Sequence, residues 1–319
     1  MKYRPLGATD MAVSEIGLGT WPIGGPTLWA QGYISYGPVD DGESIRLIRR
    51  TRELGVNFID TADIYGDGHA EEVIAEALGS DRECYVATKV GYDMYGGRQG
   101  KVWSAEHICY AVEQSLRRLR RERIDLYQLH TPPLEVIQRG EVFGTLERLK
   151  EQGKLREYGV SVITAADALA ALEQGRPASF QVGFNLLEQR HVEDLFPIVH
   201  ERGVGIVVRS PLASDLLTGT VSADTTFPET DHRSRMSREQ LARRVATVDS
   251  LRFLVQSPVA TLAQAALAFI LSHDAVSVVI PGALSVEELE DNVSASDVAP
   301  LPPADVERAH ALYRSGFAS

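Results

Sequence analysis

Asp60, Tyr65, Lys89 and His130 supply a carboxylate, a phenol, an ammonium and an imidazole, and three of the four fall at or near the end of an apolar run. In Phe58-Ile59-Asp60-Thr61-Ala62-Asp63-Ile64-Tyr65-Gly66, the run from Val56 to Ile59 reads as a short buried strand. Asp60 would end that strand and Tyr65 would sit on the loop leaving it. Lys89 lies near the end of a second run, Ala87-Thr88-Lys89-Val90-Gly91, and His130 ends a third, Leu126-Tyr127-Gln128-Leu129-His130. Singly, each has a plain explanation: a strand-end Asp, Lys or His is usually a capped or solvated group, and a Tyr beside a strand usually packs. Together, on successive strand ends facing one mouth, they suit proton transfer to an oxygen that gains negative charge. A second chemical reading makes Lys89 a Schiff-base nucleophile, which needs a deprotonated lysine, whereas a pair with Asp60 would keep it charged.

The elements that must carry these residues alternate. Strand candidates are Ile16 to Gly19, Val56 to Asp60, Cys84 to Val90, Ile124 to His130, Leu155 to Val160, Ser179 to Gly183, Val204 to Val208 and Val276 to Ile280. Helical patterns lie between them at Glu43 to Leu54, Glu71 to Leu78, Ala105 to Arg120, Val136 to Gln152, Ala165 to Glu173, Val192 to Glu201 and Ala260 to Leu271. Ser104 suits an N-cap for a helix with the stripe Ile108, Val112, Leu116, Leu119, and Gly79, Gly153 and Gly203 suit left-handed C-terminal caps. The alternation predicts an α/β fold, a (β/α)8 TIM barrel, whose active sites lie at the C-terminal ends of the strands. A doubly wound sheet shares the alternation and differs in closure. Tyr3 to Glu15, turning at Gly7-Ala8-Thr9-Asp10, reads as an N-terminal β-hairpin covering the barrel floor. Trp21 to Asp41 reads as a long loop carrying Trp21, Trp29, Tyr33 and Tyr36, and Thr218 to Ser237 as a polar, mobile one. No linker divides residues 1–319, so one domain is expected.

Composition narrows the classes. Hydrophobic content of 44%, 24% charge and 319 residues describe a globular chain with a full core. A net charge of -12 argues against nucleic-acid and anionic-membrane partners. The arginines from Arg117 to Arg123 interleave with Leu116 and Leu119 and read as a solvated helix end. Cys84 and Cys109 read as buried, reduced packing residues. The N-terminus lacks an apolar signal core and no stretch reaches membrane-spanning length, so a cytoplasmic enzyme is expected, with no metal and an open oligomeric state. Gly17-Leu18-Gly19 is not a Rossmann fingerprint, because Pro22 stands in place of the third glycine and, with Pro26, prevents an immediate helix.

Phe58 to Gly66, Thr88-Lys89 and Leu129-His130 resemble, in order and rough separation, the catalytic segments of the aldo-keto reductase superfamily, and the likeness runs from the hairpin to Asn292. The resemblance implies a (β/α)8 barrel that moves a hydride between a nicotinamide cofactor and a carbonyl or alcohol. It implies Tyr65 as proton donor, Lys89 lowering the phenol's proton affinity, Asp60 holding Lys89, and His130 orienting the carbonyl oxygen as a neutral imidazole. Cofactor contacts are implied at Gly19, Thr20, Asp60, Ser161, Gln181, Arg209, Ser210, Leu212, Ser214, Gly282, Ser285, Glu288 and Asn292. Two positions depart from the pattern. Val162 replaces an asparagine, and Arg209 replaces the tyrosine that commonly stacks on nicotinamide; the guanidinium could stack in its turn or face a phosphate or acid. Glu288 stands where NADP-preferring relatives carry a cation, which leans toward NAD(H), although family habit favours NADP(H). Trp21, with Trp29 or Tyr33, would wall the pocket for an aldehyde, ketone or sugar, and the scarcity of charge in these loops argues against a strongly anionic substrate. Potassium-channel beta subunits, which resemble such barrels, offer the alternative of a cofactor-binding interaction protein.

Overall fold

The protein is described from a computed structural model covering residues 1–29, 32–95, 100–298 and 300–317. Residues 30 and 31 of the aromatic loop lie outside that range. Strands β1 (Leu18–Gly19), β2 (Phe58–Asp60), β3 (Tyr85–Val90), β4 (Ile124–His130), β5 (Leu155–Ser161), β6 (Ser179–Gly183), β7 (Gly205–Arg209) and β8 (Val276–Val279) form one sheet in chain order, every neighbour parallel. The sheet curls on itself. Gly17 N donates to Val279 O at 2.8 Å, Gly19 N to Pro281 O at 2.9 Å, and Ile16 and Gly19 bridge to Val279 and Gly282. That closure makes a (β/α)8 barrel and removes the doubly wound alternative.

One principal helix follows each strand: α1 (Asp41–Glu53), α2 (His69–Leu78), α3 (Ala105–Leu119), α4 (Glu141–Glu151), α5 (Ala165–Gln174), α6 (Phe196–Arg202), α7 (Leu262–Leu271) and α8 (Val286–Ser294). Their ends follow local chemistry. Ser104 Oγ accepts from His107 N at the start of α3, whose expected stripe is buried, and Gly203 ends α6 in the left-handed region. The helix expected from Val136 to Gln152 is broken, because Gly140 at φ 76° separates Leu134–Arg139 from α4. Three helices went unforeseen: α8, Pro303–Arg314 and Arg238–Asp249, the last burying only Leu241 and Val248.

The hairpin strands Tyr3–Pro5 and Ala12–Ser14 plug the barrel bottom. Leu6, Met11 and Val13 join Phe58, Ala87, Leu126, Val207 and Val278 in a separate buried cluster inside the barrel. Gly7 is required there: its φ is 56°, and a Cβ would lie 2.6 Å from both Gly203 O and Gly205 N.

Two expectations are corrected. Toward the end of the 218–237 segment, His232 N donates to Ser35 O at 2.9 Å and Arg233 pairs with Asp231 at 2.7 Å and Asp215 at 2.6 Å. The basic run is only partly solvated: Arg118 pairs with buried Glu71 at 2.6 Å and Arg121 with Asp125 at 2.9 Å, because the helix end packs on α2 and β3 rather than on water. Cys84 is buried as expected, but Cys109 is exposed on the outer face of α3.

Candidate active site

The inward side chains of parallel strands repeat every second residue, and here their character changes with height. Phe58, Ala87, Leu126 and Val207 fill the lower layer. Two residues further along the same strands stand Asp60, Lys89, Gln128 and Arg209. Strand register sets them beside one another: Asp60 is level with Ala87, Lys89 with Gln128, and His130 and Gln181 with Ser161.

Lys89 is fully buried, and its Nζ donates to Asp60 Oδ1 at 2.5 Å and to Thr61 O at 2.8 Å. The other Asp60 oxygen accepts from Gln128 Nε2 at 2.9 Å and Gln181 Nε2 at 2.8 Å. Tyr65 lies on the turn after β2, its ring centroid 5.1 Å from Lys89 Nζ and 6.2 Å from the edge-on His130 ring. These contacts fix the charge states. Burial pushes Lys89 toward losing its proton, but Asp60 and Tyr65 outweigh it and hold the pKa above the ordinary lysine value. A protonated lysine is the wrong state for a Schiff-base nucleophile. Burial, reinforced by the charges of Lys89, Lys101 and Arg209, drives the His130 pKa far down, so the imidazole is neutral.

Tyr65 departs from expectation. Its pKa is raised by burial; Lys89 acts downward as anticipated but does not overcome the loss of water around the phenol. The group therefore holds its proton at neutrality, the state a donor needs.

Above this layer opens a cavity of about 400 Å³. Most of the expected cofactor residues line it: Gly19, Thr20, Asp60, Ser161, Gln181 and Arg209, then Ser210, Leu212, Ser214 and Gly282 further out. The Ser210–Asp215 stretch is unusual, since Ser210, Ala213, Ser214 and Asp215 all have positive φ, between 50° and 65°. Such turns aim successive backbone N–H groups one way and suit an anion. A cavity lined by Asp60 and Arg209 at one level and by such a loop at another is compatible with a nicotinamide dinucleotide.

Other expected positions have different work. Ser285 Oγ accepts from Glu288 N at 3.2 Å, Glu288 Oε2 from Leu284 N at 2.9 Å, and Asn292 Nδ2 donates to Gly282 O at 3.2 Å. All three shape the start of α8 and the turn before it instead of lining the cavity. Trp29 and Tyr33 are also off the cavity lining: the antiparallel pair Leu28–Trp29 and Gly32–Tyr33 sets Trp29 edge-to-face on Tyr92, at 5.2 Å between ring centroids. The wall is instead Trp21 and Tyr36, 5.2 Å apart, together with Tyr92 and Ile163, and the His232 ring, off the lining, packs on Trp21 at 4.7 Å.

Sequence reasoning missed Gln128, Tyr92, Lys101, Ile163, Asp215 and His232. Gln128 had a signal, standing two residues before His130 and therefore on the same face. The charge-poor wall holds for the 21–41 segment only, since Lys101 enters from the β3–α3 connection. Among the described residues, no group of three or more His, Cys, Asp or Glu side chains could hold a metal, and no helix is long and apolar enough to cross a membrane.

Comparison with known proteins agrees with this geometry. Residues 15–314 match the model of the Aldo/keto reductase family. The NADH-specific methylglyoxal reductase of Escherichia coli K12 is 31% identical, with 98% of this chain and 100% of that protein covered. A probable voltage-gated potassium channel subunit beta of Oryza sativa is 30% identical, with 99% and 97% covered. Among solved structures, the glycerol dehydrogenase of Gluconobacter oxydans superposes with a TM-score of 0.82 at 29% identity, over 98% of this chain and 95% of that one.

Proposed function

Because the chain belongs to the aldo/keto reductase family, we propose that it reduces an aldehyde or ketone, or oxidises the matching alcohol, with Tyr65 as the proton donor and acceptor. The observation that carries this reading is the buried Lys89–Asp60 pair at 2.5 Å beneath Tyr65, beside a neutral His130. A bound reduced nicotinamide would supply the hydride that the carbonyl carbon takes up. As negative charge grows on the carbonyl oxygen, His130 hydrogen-bonds and orients it while the Tyr65 hydroxyl gives up its proton. The phenolate left behind is stabilised by the Lys89 ammonium, which Asp60 and Thr61 O keep charged and fixed. Gln128 and Gln181 fix the far side of Asp60 in turn. Ser161 and Gln181 would hold the nicotinamide amide, and Arg209, lining the cavity beside the tetrad, would face the ring.

NAD(H) is the cofactor favoured at the outer end. The Asp215 pKa is pushed up to about 6 there, first by burial and then by the neighbouring Glu288 and Asp231 charges acting against Arg233. Arg233 is the nearby cation, but it is spent on Asp231 and Asp215. Two carboxylates and one occupied guanidinium disfavour an added 2'-phosphate.

The test follows reduced-cofactor absorbance against aldehydes, ketones and sugars. Tyr65→Phe should lower kcat by roughly 10²- to 10⁴-fold with cofactor affinity retained. Undiminished turnover in that variant would remove Tyr65 from the chemistry. The likeness to a potassium-channel beta subunit keeps a second reading in view, a cofactor-binding interaction protein; retained cofactor binding with no turnover by wild type on any carbonyl would favour it.

A further inference from the structure

Lys101 occupies an unusual place in the cavity. Its backbone bridges to Tyr92, and its Nζ donates to His130 O at 3.1 Å and Thr131 O at 2.9 Å, 4.9 Å from the Tyr92 ring centroid. The ammonium is thereby fastened to the backbone of the residue whose imidazole is to meet the carbonyl oxygen. An ammonium has three donors, and these two carbonyls leave the third for a ligand.

Among the described residues, no ion pair includes Lys101. Arg209 lines the same chamber, and among the described residues its guanidinium makes neither a side-chain hydrogen bond nor an ion pair. The carboxylates of the cavity are already taken: Asp60 by Lys89, Gln128 and Gln181, and Asp215 by Arg233 at the opposite end. The carbonyl end of the cavity therefore carries surplus positive charge in a protein whose net charge is -12. Lys101 is exposed, and partial desolvation of its ammonium lowers its pKa.

We propose that Lys101, at a chamber end whose positive charge Arg209 reinforces, forms an anion subsite that selects carbonyl substrates bearing a carboxylate a few atoms from the reacting carbon. The inference rests on the reading of this cavity as a carbonyl-reducing site. Hydride still goes to the carbonyl carbon and the proton still comes from Tyr65, so the carboxylate is bound and not transformed. A charge-assisted bond of this kind discriminates by about tenfold or more.

The experiment compares 4-oxobutanoate with its methyl ester, which removes the charge and keeps the aldehyde. Wild type should favour the carboxylate by at least about tenfold in kcat/KM, mainly through KM. The ratio should fall toward unity in Lys101→Met, recover in Lys101→Arg, and shrink with added salt in wild type. Equal use of both probes by wild type, or a Lys101→Met ratio like that of wild type, would overturn the subsite, and so would weakened cofactor binding in Lys101→Met with the ratio intact. If neither probe is turned over, the carbonyl-reducing reading fails by itself. Calorimetric titration of 4-oxobutanoate into wild type and Lys101→Met then decides the subsite: binding lost in the variant supports it, and equal or absent binding removes it.

Discussion

At the cavity floor Asp60 is fixed by Lys89, Gln128 and Gln181, donors carried on three different strands. At the wall Trp21 meets Tyr36 and His232 only through ring contacts, from one loop before α1 and one after β7. The floor is therefore positioned by the barrel's own hydrogen-bonded ladder, and the wall by loops that can be exchanged without touching that ladder. Changes at the floor should act on the chemical step and on folding together. Changes at the wall should act on which molecule enters.

The largest effect is expected where the floor loses its charge balance. Lys89→Met leaves Asp60 with two amide donors and no counter-ion in a fully buried site, a loss of about 3–5 kcal/mol in folding stability. Urea unfolding of the cofactor-free protein measures it, and turnover should be lost in parallel. A variant as stable as wild type would mean that the ladder, rather than the ion pair, holds the floor. The wall predicts a smaller and more selective response. Trp21→Ala removes a ring that lines the cavity and should raise KM by about tenfold, whereas Trp29→Ala, off the lining, should change it by less than about twofold. Equal effects of the two substitutions would erase the distinction between lining and rim.

The same contrast explains what could be read from the chain. Buried parallel strands are nearly continuous apolar runs, so a polar residue at their end is conspicuous; Asp60, Lys89 and His130 were found in that way. Gln128 needed only the period of two applied backward from His130. Closure was not legible, because Ile16 and Gly19 meet Val279 and Gly282 through backbone hydrogen bonds that no side-chain pattern announces. The wall was harder still. Trp21, Tyr36 and His232 come together only through the fold, and nothing in residue type separates Trp21, on the lining, from Trp29, which packs on Tyr92 off it. Lys101 escaped notice for the same reason, since nothing local to it says that its ammonium will bind the backbone of His130.

The smallest expected effect lies at the outer end, where Asp215 titrates near pH 6. Asp215 has φ 65°, a conformation that Asn also tolerates, so Asp215→Asn removes the charge without straining the turn. The substitution frees Arg233 from one of its two acids and should raise the ratio of NADPH to NADH affinity several-fold at neutral pH, read by fluorescence titration. In wild type the carboxyl takes up its proton as pH falls through about 6, so the ratio should rise on acidification. A phosphate monoester gains a proton in the same window, near about pH 6, so the profiles of both proteins carry that step. The part that belongs to Asp215 is the difference between the two pH profiles: the wild-type ratio should approach that of the variant as pH falls through about 6. Superimposable profiles would detach Asp215 from cofactor choice and leave Glu288, at the start of α8, as the carboxylate that opposes the phosphate.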